Sequence, residues 1–99
     1  MIRFHRAAIA EGFEAEAHYA AESADVALRF REAMADGLAK IAASPFRWAQ
    51  DEDGFRRYKL IGFPYLIFFE PQDDGIRVYA VAHGARKPGY WHGRAEERR

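Results

Sequence analysis

The residues best able to do chemistry gather late in the chain. His83, Arg86, Lys87, Tyr90, Trp91 and Arg94 fall within a dozen positions, directly after a strongly apolar stretch. A histidine titrates near neutrality and suits general acid or base work. Arginine's planar fork and lysine's point charge grip phosphate or carboxylate oxygens. Tyr90 and Trp91 offer faces on which a base can stack. Arg57, Lys59 and Arg77 add cations upstream. In a nuclease, His83, Arg86 and Tyr90 would be the catalytic set. Arg57, Lys59, Arg77, Lys87, Trp91 and Arg94 would then bind phosphate or target.

Each residue also has a structural reading. The His83 ring can bond the turn that follows it. Arg86, Lys87 and Arg94 can be a solvated tail or pair with acids. Tyr90 and Trp91 can clamp the tail to the core, because they carry large apolar surfaces. Arg57 and Lys59 can pair with Asp51 to Asp53. His5, His18 and His92 show no ligand spacing, so no metal site is expected. Glu11, Glu14 and Glu16 read as a solvated helix face. There is no glycine-rich phosphate loop, no serine elbow and no cysteine, and these absences remove several nucleophile, cofactor and disulfide chemistries.

The elements that must position these residues follow from periodicity. Ile2 to Phe4 reads as a short strand. Ala7 to Ala20 reads as a helix with Ile9, Phe13, Ala17 and Ala20 on its apolar side, and with Gly12 as a point of close packing. Ser23 is a helix N-cap with Asp25 in the first turn. Val26, Phe30, Met34, Leu38 and Ile41 then form a stripe that stops before Pro45. The short connection makes the two helices an antiparallel hairpin. Phe46 and Trp48 are expected to tuck under the domain.

Three antiparallel strands follow, near 55–61, 65–70 and 76–83, with Asp73-Asp74-Gly75 as a hairpin turn. Strict alternation puts Ile76, Val78, Ala80 and Ala82 against the helices. It leaves Arg57, Lys59, Arg77, Tyr79 and His83 on one open, basic face. The most buried residues should be Phe30, Leu38, Ile67, Phe68 and Val78. The fold class is α+β, in a single domain spanning 1–99.

Composition bounds the function. At 99 residues and 49% apolar, the chain supports one compact core, since a domain of this size buries only about 60–70% of its unfolded surface. Net charge is zero but unevenly placed. Ten acids face six bases through Gly54, and nine bases face five acids from Phe55 onward. Neutrality argues against tight free-standing nucleic-acid binding, while the basic half keeps a local anionic site open. No stretch has the length of a membrane span or the start of a secretory signal, so a cytoplasmic protein is expected.

The order of segments carries a resemblance. It is made of Ile2-Arg3-Phe4-His5, the helix stop Ile41-Ala42-Ala43-Ser44-Pro45, Arg56-Arg57-Tyr58-Lys59-Leu60 and Phe63-Pro64-Tyr65-Leu66-Ile67-Phe68-Phe69. Ile76 to Val81 and the His83-Gly84-x-Arg86-x-Pro88-x-Tyr90-Trp91 ending complete it. Together these resemble the RelE/ParE superfamily, the toxins of bacterial type II toxin–antitoxin systems, which include plasmid-stabilisation proteins. The resemblance implies a strand, a helix hairpin, three antiparallel strands and a short C-terminal segment. It implies a cognate antitoxin as partner and no cofactor. One branch of the family poisons DNA gyrase; the other cuts mRNA on the ribosome with basic and proton-shuttling residues. Neutral charge and an incomplete basic set lean toward gyrase. The alternatives are a ribosome-dependent mRNA endoribonuclease and a non-toxic binding module. A second copy of the chain is a further candidate partner.

Overall fold

The computed structural model describes residues 1–98. Its order is β1 (Ile2–Phe4), α1 (Arg6–Ala20), α2 (Ala24–Ala43), β2 (Arg56–Lys59), β3 (Tyr65–Gln72) and β4 (Gly75–His83), then a 3₁₀ helix (His92–Arg98). The sheet runs β1-β4-β3-β2. The three later strands are antiparallel, and β1 lies parallel to β4, with Ile2 opposite Ile76. The N-terminal strand therefore completes the sheet, and the helix hairpin carries the chain from β1 to β2 at the opposite edge, from which β3 and β4 return.

Local chemistry explains the boundaries. The Ser23 hydroxyl accepts from the backbone N–H groups of Asp25 and Val26 at 3.1 and 3.4 Å, the expected cap of α2. Helix α2 ends at Ala43, two residues before Pro45. The cap of α1 is an imidazole: His5 Nδ1 accepts from the Ala7 N–H at 3.0 Å. Gly75, at φ +145°, lets the Met1 carbonyl take the Ile76 N–H at 2.9 Å; a Cβ there would meet that carbonyl oxygen at 2.0 Å. Gly37, not Gly12, is the point of close packing. A Cβ at Gly37 would sit 2.7 Å from the Tyr58 ring, whereas one at Gly12 would meet nothing within 4 Å.

The sheet carries two cores. On the helix side, Ala8, Ala15, Phe30, Ile41, Tyr58, Leu60, Ile67, Phe69, Ile76 and Val78 pack together. On the opposite side, Phe55, Tyr79, Ala80, Trp91 and Ala95 form a second cluster under the C-terminal segment. Phe30, Ile67 and Val78 are fully buried as expected. Leu38 and Phe68 are only partly buried, Phe68 because it belongs to the second cluster. Trp48 packs on the core as expected, but Phe46 stands exposed beneath the Arg56 guanidinium.

Two expectations from periodicity fail for definable reasons. On α1 the inward line is Ala8 and Ala15, with Glu11 beside it, so Ile9 and Phe13 are 46% and 69% exposed, and Ala17 and Ala20 face outward. Of the large residues of α1, Tyr19 packs against the core beside Phe30 and Phe63, while Ile9 and Phe13 do not. The second failure is a β-bulge. Phe68 pairs with Ala80 and Phe69 with Val78, which leaves Tyr79 as an extra residue on β4. Tyr79 and Ala80 both join the second cluster. Beyond them the alternation runs one position out of step. Val81 turns toward the helices, and His83 lies beside Glu14, Ala15 and His18 of α1.

Candidate functional site

The bulge separates residues that strict alternation would unite. Arg57 and Lys59 lie on β2, opposite Phe68 and Leu66, and Arg77 lies opposite Glu70 ahead of the bulge. These three remain with the open side of the sheet. His83, beyond the bulge, faces α1. The expected shared face of Arg57, Lys59, Arg77, Tyr79 and His83 is not formed. Tyr79 is fully buried, and its hydroxyl donates to Glu70 at 3.0 Å.

Nor is the open side bare. Trp91, 1% exposed, is stacked 4.8 Å from Phe68 and 6.2 Å from Tyr79, with Phe55 edge-on at 4.9 Å. The tail is a plug over this side of the sheet. Arg57 borders it in a shallow depression with Asp51 to Asp53 and His92.

Glu11 holds the plug in place. Past Phe4, β1 no longer covers the edge of β4, so backbone groups there need other partners. The Val81 N–H donates to Glu11 Oε1 at 3.0 Å, and Arg94 donates to the Tyr79 carbonyl at 2.9 Å. Arg94 also grips both Glu11 oxygens, at 2.8 and 2.9 Å. The Tyr90 hydroxyl donates to Glu11 Oε2 at 2.5 Å. One carboxylate and one guanidinium thus finish the strand edge and tie the tail to α1. His5 makes a second tie, its Nε2 bonded to Glu97.

The electrostatics follow from this geometry. Burial opposes ionisation of Glu11, but hydrogen bonds from Arg94, Tyr90 and Val81 and the Arg94 charge outweigh it and hold its pKa below the ordinary value. Burial first, then the bond to Glu11 and its negative charge, push the Tyr90 phenol up to about 12. Arg86 stacks on the Tyr90 ring, its guanidinium carbon 3.8 Å from the ring centre, and reaches Glu11 at 3.9 Å.

His83, Arg86 and Tyr90 do come together. With Lys87, Leu66, Phe68 and Trp91 they line a cavity of about 160 Å³ at the end of β4. The His83 Nδ1 accepts from the Ala85 N–H at 3.0 Å and its ring packs edge-on against Tyr65, so it braces the turn. Trp91 and Arg94 are consumed by the plug and its tie. Glu11, read from the sequence as solvated, is the residue that reading missed. Its signal was its place on the inward line of α1, between Ala8 and Ala15. Among the described residues no group of three or more His, Asp or Glu could hold a metal ion, and no helix is long and apolar enough to cross a membrane.

A strand, a helix hairpin and an antiparallel three-strand run, closed by a short tail, define a RelE/ParE-like toxin fold. The family described as the ParE toxin of the type II toxin–antitoxin system, parDE, matches residues 2–88, and the chain belongs to it. That span includes Glu11, His83 and Arg86 and stops before Tyr90, Trp91 and Arg94. No curated protein matches the chain.

Proposed function

We propose that this toxin acts in the cytoplasm on DNA gyrase rather than by cutting mRNA, and that a folded segment of its antitoxin lies along the helix hairpin. The observation that carries the first part is the split of Arg57, Lys59 and Arg77 from His83. A phosphoryl-transfer site needs its proton carriers and its cations around one phosphate. Here Arg57, Lys59 and Arg77 lie with the plugged side of the sheet, and His83 lies with the helices. Tyr90, with its pKa pushed up to about 12, is a poor general base near neutrality. Family membership implies an antitoxin. Exposed Ile9 and Phe13 border an apolar groove of about 250 Å³, floored by Phe4, Ala8, Phe30 and Met34. It suits an amphipathic segment that orders on binding.

One observation favours the nuclease alternative: His83, Arg86 and Tyr90 share a cavity. Inducible expression separates the readings. Mapped mRNA 5′ ends should stay intact while plasmid DNA relaxes or breaks. Codon-positioned cuts abolished by His83→Ala would overturn the gyrase reading. Phe13→Asp should release the antitoxin; an unchanged complex would remove the groove from the account.

A further inference from the structure

We propose that Glu11 is a positioning residue that fixes Arg86 on the Tyr90 ring, so that Arg86 is the cation presented to an acidic side chain on a protein target. This deepens the toxin reading and rests on it for the identity of the target.

The charge balance around Glu11 singles out Arg86. Glu11 is 11% exposed in its side chain and faces two guanidiniums. Arg94, 18% exposed, neutralises it through both oxygens and spends a further N–H on the Tyr79 carbonyl. Arg86 is the surplus cation, 53% exposed and 3.9 Å from the carboxylate. Its guanidinium is set by two features, the Tyr90 ring beneath it and the Glu11 charge beside it, and its backbone is fixed in the turn by the Arg86 main-chain N–H donating to the His83 carbonyl at 3.0 Å. A guanidinium held over a ring face still has N–H groups to offer one carboxylate. A held side chain also loses less rotamer freedom on binding.

The surroundings favour a protein over a nucleic acid. Glu14 lines the same cleft as His83 and Arg86, and the Asp51 to Asp53 loop flanks the other side of the tail. Those acids would repel a run of phosphates but leave room for one carboxylate. Glu11 carries the whole arrangement, because the Tyr90 hydroxyl and both nearby arginines turn to it.

Two readouts test the proposal. The first needs no target. In Glu11→Gln, the Tyr90 phenol should titrate lower than in the wild type, and the ring-current shift of the Arg86 side-chain protons should collapse. Both should hold in protein shown to remain folded by melting. An unmoved Arg86 would overturn the positioning role. The second readout is growth inhibition on induction. Arg86→Ala should weaken it about tenfold or more, the size of one charged hydrogen bond. Glu11→Gln should weaken it similarly, and the double variant should be no worse than Arg86→Ala alone. Full additivity would make Glu11 merely structural. Tyr90→Phe keeps the ring and should retain most toxicity, whereas Tyr90→Ala should not. Competition of toxin–target binding by polyphosphate or RNA, but not by polyglutamate, would move the partner to a phosphate polymer and overturn the acidic-protein assignment. A chain that cuts mRNA instead sinks the gyrase reading, and the ring-current result still decides the role of Glu11.

Discussion

The two faces of the sheet are closed by different means. The helix face is covered by α1 and α2, which pack a continuous apolar core around Phe30, Ile41, Ile67 and Val78. The opposite face is closed by a short tail, with one tryptophan as its main apolar contact and ion pairs to distant residues as its ties. Hydrophobic packing is non-directional and spread over many residues. A tie of the second kind is directional and concentrated, so one substitution can undo it. The comparison assigns stability chiefly to the helix face and control over the charged surface to the tail.

The comparison breaks most sharply at Phe30. Phe30→Ala should cost about 3–5 kcal/mol and lower the melting temperature of the whole chain. A melt within a degree of wild type would show that the helix-side core is not the main support. Trp91→Ala should come next, near the lower end of that same ~3–5 kcal/mol, because an edge segment relaxes more than a core. Hydrogen exchange should then speed up across residues 84–97 and leave α2 protected. Uniform loss of protection would mean the two faces are one cooperative unit.

Arg94→Ala strips Glu11 of its main partner. Breaking a buried pair costs about 3–5 kcal/mol; the partial exposure here brings the expected loss to roughly half that. A chemical melt reads it directly. Acid and alkali should act on the same tie. Glu11 has a lowered folded pKa, so its contribution is full above the ordinary 4.5 and is lost as pH falls through the lower folded value. Tyr90 has a raised folded pKa, so its contribution is full below the ordinary 10 and is lost as pH rises through about 12. Trp91 fluorescence should therefore report tail release at both extremes, and Glu11→Gln should flatten the acid limb and only weaken the alkaline one, because burial is the larger cause of the Tyr90 shift. The smallest effect is expected at the exposed Arg3–Asp74 pair, 2.8 Å apart. Arg3→Ala should leave the melt unchanged.

How much of this was legible varies along the chain with the physics. The Ser23 cap, the α2 stripe and the Asp73-Asp74-Gly75 turn rest on local chemistry, and each lies where its spacing predicts. Helix α1 misleads because its inward residues are alanines and a glutamate, while its bulky Ile9 and Phe13 border a groove that its own residues leave open. A hydrophobicity pattern reads size, and at Ile9 and Phe13 size marks the exposed side, although Tyr19 does pack on the core. The bulge at Tyr79 has no local signal: an ordinary strand sequence absorbs one extra residue, and every later side chain changes face. That single displacement moves His83 away from Arg57, Lys59 and Arg77. The tie from Glu11 to Tyr90 and Arg94 joins residues about eighty positions apart, a separation that no helix or strand period reaches. The charge count detected a basic second half but not that two of its arginines, Arg86 and Arg94, answer to one acid in the first.

The parallel pairing of β1 with β4 also governs timing during synthesis. Ile2 to Phe4 emerge first, yet their partners are Ile76 to Val78, and Glu11 waits longer still for Tyr90 and Arg94. The first-made strand and the key acid must stay unpaired through most of translation, which makes their closure a late, non-local and intrinsically slow event. The helix hairpin, by contrast, rests on local contacts and can form early, but its apolar groove is complete only when β4 brings Val81 and holds Phe4 at its edge. The groove and the Glu11 tie therefore both wait for β4, which brings Val81 to each of them.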